Sequence, residues 1–233
     1  DPKSLNFRSG DTFKHSFQGR SDQTLVLIDS TGRTYSLPAH NLPSARSQGE
    51  PLTGRLNPPS GAVFQGLMMG TSDSQYLIAS DAGYGFIAHL SDLKTKNRSG
   101  KTILSLPKAS FVVKPVIVRE KENSFAIAVS TEGRMLMFPL ADLPILGKGK
   151  GNKIINIPKT RLRNREEWMI GVEVVREQDV LIISAGKRHM KLKFNDLERY
   201  RGERGRRGMK LPKGLQKVDS ITVDYSQRQE SSA

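Results

Sequence analysis

The sequence predicts an all-β protein built from repeated blades. Three observations carry that prediction: a repeat of about 50 residues, a hairpin closed by glycine in every copy, and weak helical periodicity throughout. The hairpins read LVLIDSTGRTYSL, YLIASDAGYGFIAHL, FAIAVSTEGRMLMFPL and VLIISAGKRHMKLKF. Their turn glycines, Gly32, Gly83, Gly133 and Gly186, lie 51, 50 and 53 residues apart. A second landmark keeps the same beat, since Asn41-Leu42, Asp92-Leu93, Asp142-Leu143 and Asp196-Leu197 are separated by 51, 50 and 54 residues. A turn rich in Ser, Thr and Asp that ends in Gly supplies the positive φ of a tight hairpin, and the flanking Val, Ile, Leu and Phe favour strands.

The remaining elements follow along the chain. Upstream of each hairpin, at a nearly fixed offset, stands another strand-like stretch: GDTFKHSF, GAVFQGLMM, SFVVKPVIV and EEWMIGVEVV. Each unit therefore offers three or four strands. The units run over residues 10–60, 61–108, 109–160 and 161–217, within one domain spanning 1–233. Residues 218–226 supply a closing strand, in which Ile221, Val223 and Tyr225 alternate with polar residues. Residues 1–10 read as the tail of an earlier, truncated unit, because LNFRSGD occupies the place that GEPLTGRLNPPSG fills one unit later. A period of about 50 residues with four strands suits radial blades, but the chain has neither a Gly-Gly pair nor a Trp-Asp dipeptide, which disfavours kelch and WD propellers.

Length and composition narrow the class further. At 233 residues the chain can bury a core without staples, and its lack of cysteine excludes a disulfide framework and any thiolate zinc site. No run approaches the 18 apolar residues of a membrane helix, and DPKSLNFRSGD lacks the form of a signal peptide. A soluble, cytoplasmic domain of a longer protein is expected. The net charge of +14 draws in polyanions, and its distribution says more than its size. Lys and Arg number 5 in residues 94–108, 7 in 148–165 and 12 in 186–217, against 0, 0 and 3 acidic residues. These segments carry +21 together and leave −7 for the rest of the chain.

The basic segments all follow a Leu anchor, so an array of blades should line them up on one edge as a continuous track. They read TKNRSGK (95–101), LGKGKGNK (146–153) and GERGRRGMK (202–210). Glycine between basic residues lets the backbone approach phosphates, while Lys and Arg release counterions. By local charge density the candidate DNA contacts are Arg204, Arg206, Arg207 and Lys210, then Lys148, Lys150 and Lys153, then Lys96, Arg98 and Lys101. Lys187 and Arg188 in the last hairpin turn join them. No aromatic residue interleaves with the basic runs, which favours duplex over stacked single strands. The first unit's equivalent, SARSQGEPLTGR, sets Arg46 and Arg55 against Glu50 and should contribute little.

Catalytic and metal chemistry is not legible. His15, His40, His89 and His189 are scattered and lack ligand spacing, and GKGKGNK lacks the spacing and Ser/Thr of a phosphate-binding P-loop. Asp29 and Asp81 in turns, and Asp92, Asp142 and Asp196 beside the anchors, read as turn-bonding carboxylates rather than acids or bases. Met68, Met69, Met135, Met137 and Trp168 read as core. No catalytic residue, metal or cofactor is assigned. Asn97-Arg98-Ser99 matches a glycosylation acceptor by chance.

Four stretches resemble a known family: SDAGYGF (80–86), GRMLMFPLADLP (133–144), KGKGNKIINIP (148–158) and GERGRRG (202–208). Across nearly the whole chain the sequence is similar to the C-terminal β-pinwheel domain of bacterial type IIA topoisomerase A subunits, and closer to the topoisomerase IV branch than to gyrase. That resemblance implies blades of four antiparallel strands with strand exchange between neighbours, and an outer rim that binds and bends double-stranded DNA. It implies an open or broken five-blade arrangement whose first blade is incomplete. Gyrase-like members carry a box resembling QRRGGRG that enables wrapping; Gly205-Arg206-Arg207-Gly208 is only a partial echo of it. The family places cleavage chemistry in a separate N-terminal portion, so this chain is expected to be non-catalytic.

The function expected is sequence-independent duplex binding that sets a topology preference, decatenation and positive-supercoil relaxation, for a catalytic core. Implied partners are double-stranded DNA, a chromosome-organising protein, the rest of the topoisomerase IV chain and the ATPase B subunit of the enzyme. The domain alone should be a monomer, and the full enzyme nucleoid-associated with peripheral inner-membrane contact. The alternatives are a protein-interaction propeller whose basic rim meets an acidic partner, and a carbohydrate-active propeller, which would need clustered carboxylates.

Overall fold

The structure, a computed structural model, describes residues 9–44, 47 and 49–225. Along the chain it forms β1 (Thr24–Asp29) and β2 (Arg33–Pro38), then β3 (Phe64–Met68), β4 (Gln75–Ser80) and β5 (Tyr84–His89). The helical turn α1 (Leu90–Leu93), β6 (Lys101–Thr102), β7 (Val116–Val118), β8 (Phe125–Ser130) and β9 (Arg134–Pro139) follow. The rest comprises β10 (Asn152–Lys153), α2 (Lys159–Arg163), β11 (Met169–Val175), β12 (Val180–Ala185), β13 (Arg188–Leu192), α3 (Phe194–Leu197), β14 (Met209–Lys210) and β15 (Ser220–Asp224). All four hairpins stand where the glycine beat places them.

The sheets do not follow the sequence units. Their strand orders are β3-β1-β2-β6, β10-β5-β4-β7, β11-β8-β9-β14 and β13-β12-β15. Each of the first three hairpins takes its inner neighbour from the stretch upstream of the next hairpin and its outer neighbour from the basic segment after the next Leu anchor, while the fourth takes its inner neighbour from the closing strand β15. Adjacent units are thereby stitched together in the manner the family resemblance implied. All pairings between named strands are antiparallel.

The turn glycines explain how the outer strand docks. Gly32, Gly83 and Gly133 have φ of 85°, 82° and 68°, and each presents its carbonyl to the incoming segment. Gly32 O accepts from Ile103 N, Gly83 O from Ile154 N, and Gly133 O from Leu211 N, at 2.9, 2.7 and 2.8 Å. A Cβ on Gly32 or Gly83 would stand 2.2 or 2.3 Å from the carbonyl oxygen of Leu104 or Ile155, so no side chain fits. Gly186 meets no such neighbour, and its blade has three strands among the described residues.

Burial reports the same stacking. β4 and β8 are buried at five successive positions because both blade faces are covered, whereas β12 alternates between buried and half-buried residues on the terminal blade. Three apolar clusters lie between blades, and a fourth, with Leu27, Tyr35 and Leu56, covers the first blade. Leu77 and Ile87 pack with Phe138 and Val172, Val26 and Ile28 with Phe86 and Ile103, and Ile127 and Met137 with Leu181 and Ile183. Met68, Met135 and Met137 are fully buried, as expected of core residues. The inner strands β3, β7, β11 and β15 meet around a cavity of about 320 Å³ whose wall includes Leu67, Ile117, Glu173 and Thr222. This cavity is the hub, and β6, β10, β13 and β14 form the opposite, outer edges.

One expectation needs adjustment. GDTFKHSF (10–17) forms no strand: in the other units this stretch pairs with the preceding hairpin, and here His15 and Phe17 line the hub cavity instead. Most of the remnant unit at 1–10 lies outside the described residues, as does Arg46; the described residues form four blades.

Candidate nucleic-acid interface

The topology puts the basic segments on the rim. Residues 94–108 contain β6, 148–165 contain β10, and 186–217 contain β13 and β14, so each segment holds the outermost strand of a blade.

Main-chain hydrogen bonds link successive segments into a staircase. Asn57 N donates to Arg98 O at 2.8 Å, joining the first unit's loop to the first basic segment. Gly149 N donates to Ile103 O and Ser105 N to Gly149 O, at 2.8 and 2.9 Å, joining the first segment to the second. Gly205 N donates to Ile154 O and Asn156 N to Arg206 O, both at 2.9 Å, joining the second to the third. The rim is thus one connected ribbon in which short glycine-bearing loops carry the cations.

The cations on this ribbon divide into two kinds. In the third segment Arg207 Nη2 meets the fully buried carboxylate of Glu167 at 2.6 Å while Nη1 donates to Asn156 O at 3.0 Å. Arg161 lies 3.3 Å from the same carboxylate. Arg204 Nη1 donates to Lys153 O at 2.7 Å, and Arg206 pairs with Glu203 in an exposed contact at 2.8 Å. Arg204 and Arg207 fasten the third segment to the second and to Glu167, whereas Arg206 pairs within its own segment. Lys210 is exposed, with no ion-pair partner among the described residues.

The second segment keeps its lysines free of ion pairs among the described residues, while its Arg161 and Arg165 are paired with Glu132, Glu166, Glu167 and Asp81. Lys148 and Lys150 are both exposed on the rim, and neither forms an ion pair among the described residues. Lys150 Nζ stands 4.6 Å from the centre of the Tyr84 ring, and Lys153, half-buried, lies 5.8 Å from it and 3.4 Å from Asn156 Oδ1. In the first segment Lys96 is exposed, Lys101 Nζ donates to Asp92 O at 3.0 Å, and Arg98 donates to Arg55 O and Gly54 O at 2.8 and 3.1 Å. Arg55 itself pairs with Glu50. Lys187 and Arg188 are exposed in the turn and first residue of β13. The predicted residues thus share the outer edge, but their densest cluster is the one most engaged within the protein.

Three rim lysines are missed when cations are ranked by local density. Lys108, Lys159 and Lys213 each follow a proline just after the outer strand of a blade, within Leu-Pro-Lys or Ile-Pro-Lys, and are spaced 51 and 54 residues apart. All three are exposed. The repeated tripeptide was the available signal, obscured by the louder Gly-Lys and Gly-Arg runs.

The carboxylates do mainly structural work. Asp29 accepts from Thr31 N, Arg33 N and the Tyr35 hydroxyl at 2.8, 3.1 and 2.7 Å, and Asp196 accepts from Lys193 N at 2.9 Å. Asp81 instead ties its turn to the next unit, through Phe111 N at 2.9 Å and Arg165 at 2.9 Å. Burial raises the Asp81 carboxyl above its usual range, opposed by both of these donors. No group of three metal-ligating side chains occurs among the described residues.

A stitched array of antiparallel blades around a hub, with a basic ribbon on its outer edge, defines a propeller-class domain with a cationic rim. Comparison makes the class specific. Residues 75–119, 125–176 and 191–223 match the family model described as DNA gyrase C-terminal domain, beta-propeller. The chain belongs to that family. It is 55% identical over 224 residues, 96% of its length, to the A subunit of DNA topoisomerase 4 from Pseudomonas aeruginosa, and covers 30% of that protein. The structure of the E. coli ParC C-terminal domain superposes with a TM-score of 0.85 at 46% identity, over 96% of this chain and 90% of that one. The DNA gyrase A C-terminal domain, at 17% identity and a TM-score of 0.66 over 88% of this chain and 67% of that one, shares the fold. The chain spans about 30% of the length of the curated relatives it matches, and the resemblance to the topoisomerase IV branch stands.

Proposed function

We propose that this domain binds duplex DNA on its outer ribbon, bends it, and presents it to the catalytic core of a topoisomerase IV, whose preference for decatenation and positive-supercoil relaxation it sets. The observation that carries this reading is the ribbon itself: three segments totalling +21 occupy the blade edges and are joined by main-chain hydrogen bonds. A curved row of cations around a rigid array favours a curved duplex, because each added phosphate contact offsets part of the bending cost. The domain contributes binding and geometry. Bond cleavage belongs to the rest of the longer chain, with ATP hydrolysis assigned to the B subunit. Such an enzyme works at the nucleoid in the cytoplasm.

The test is a duplex labelled with a fluorescence-transfer pair at its ends. Addition of the domain should bring the ends closer and raise transfer. Reversing Lys148, Lys150, Lys159 and Lys210 to Glu should abolish both binding and bending. Binding that leaves the duplex straight would defeat the bending part of the reading.

One observation favours a second activity, docking of an acidic protein such as a chromosome-organising factor. The outer edge of β13 has no fourth strand among the described residues and is flanked by Lys187, Arg188, Lys191 and Lys193. An exposed strand edge is a template for strand addition. Charge reversal there should weaken the protein partner and spare DNA bound at the second segment.

A further inference from the structure

Between the outer strands of the second blade and the crossing from the first lies a cleft of about 450 Å³. That volume is typical of small-molecule sites rather than of a flat backbone track. Its two walls are equivalent pieces of consecutive units, residues 105–108 and 156–159, each ending in Pro-Lys. Both are pinned by main-chain bonds, Ser105 N to Gly149 O and Asn156 N to Arg206 O, each 2.9 Å. The cleft is therefore shaped before any ligand arrives.

Five cations surround it: Lys108, Lys150, Lys153, Lys159 and Arg163. No carboxylate lines the cleft, and none of the five forms an ion pair among the described residues. Cations lining one cleft without a carboxylate repel one another, and a multivalent anion between them offsets that repulsion. A duplex presents its phosphates singly along a convex backbone, so it can touch the cleft's mouth without filling it. Condensed phosphates carry several charges within a few bonds and match converging lysines better. The apolar stretch of wall formed by Leu106, Pro107, Ile157 and Pro158, facing Tyr84, gives a flat organic group somewhere to lie.

We propose that this cleft is an oligophosphate-binding site, taking the condensed phosphate chain of a nucleoside polyphosphate or of inorganic polyphosphate. The ligand shares Lys150 and Lys153 with the ribbon, so its occupancy competes with whatever polyanion the rim carries. The site stands independently of the duplex reading, because its cations and walls are defined without DNA.

The test is calorimetric titration of the full chain with tripolyphosphate and, separately, with ATP at about 150 mM salt, where screening suppresses diffuse surface binding. One saturable site per chain is expected. Lys108→Glu with Lys159→Glu should weaken it at least ~10-fold, whereas the charge-matched pair Lys14→Glu with Arg119→Glu, both exposed and outside the cleft, should leave it unchanged. Tighter binding of ATP than of tripolyphosphate identifies a nucleotide; equal binding identifies the phosphate chain alone. Absence of saturable binding, or equal weakening by both double variants, overturns the site. Duplex binding measured on the same samples separates the two readings: absence of oligophosphate binding with DNA binding retained refutes only the cleft. Oligophosphate binding without any DNA binding refutes only the ribbon's proposed function.

Discussion

The second and third basic segments look interchangeable in sequence and are opposites in structure. GERGRRGMK has the denser charge, yet Arg207 is committed to buried Glu167, Arg204 to Lys153 O and Arg206 to Glu203. KGKGNK has fewer cations, but Lys148 and Lys150 meet no opposing carboxylate among the described residues. Arginine's planar fork can satisfy a buried carboxylate and a carbonyl together, as Arg207 does, whereas lysine beside glycine stays hydrated and mobile. Charge density along a chain measures supply; only the fold shows how much is used inside.

This contrast predicts that stability follows the third segment and DNA affinity the second. The largest effect is expected for Arg207→Ala, which strips a buried carboxylate of its shortest partner and should destabilise the domain by about 3 kcal/mol in denaturant unfolding. Arg161, 3.3 Å from the same Glu167 oxygen, limits the loss. A change below ~0.5 kcal/mol would place Arg207 with the free cations. Next, Lys148→Glu with Lys150→Glu should leave the unfolding midpoint unchanged and weaken duplex binding by roughly 10-fold to 100-fold, lowering the salt slope by about 2.

The hub sharpens the contrast, because it should affect stability and pH response but not DNA. Burial pushes the Glu173 carboxyl up to about 7, while Lys114 pulls the other way, and His15 shares the same cavity. The folded state therefore holds this proton more tightly than the unfolded chain. Its stabilising contribution is complete below the ordinary glutamate range and is lost as pH rises through about 7. Glu173→Gln should match the parent near pH 4 and exceed its stability by about 1 to 2 kcal/mol at pH 8, less than the full shift because Glu173 is only half-buried at the cavity wall. Duplex affinity should not move. Smallest of all, Arg206→Ala removes an exposed pair and should change stability by less than ~0.5 kcal/mol; a larger loss would mean that the third segment is fastened at its tip as well.

Much of the fold was legible because its signals are local. A turn glycine needs positive φ, an anchor leucine needs a core, and both repeat with the blade, so the hairpins and the rim position of the basic segments followed from spacing. Strand exchange was not readable from spacing: β6, β10 and β14 are two residues long and are fixed by the carbonyls of distant glycines rather than by propensity. The division among cations was hidden for a related reason. Glu167 lies 40 residues from Arg207, and nothing near either residue announces the other. Lys108, Lys159 and Lys213 show the reverse case, a periodic signal present in the sequence but masked by denser neighbours.

The central claim, that a ribbon of cations binds duplex DNA electrostatically, is tested most directly by the salt dependence of affinity. Between 50 and 200 mM salt, a ribbon touching about 6 to 10 phosphates should lose about 10³ to 10⁵ in affinity, linearly in the logarithms. A flat response over that range would contradict it.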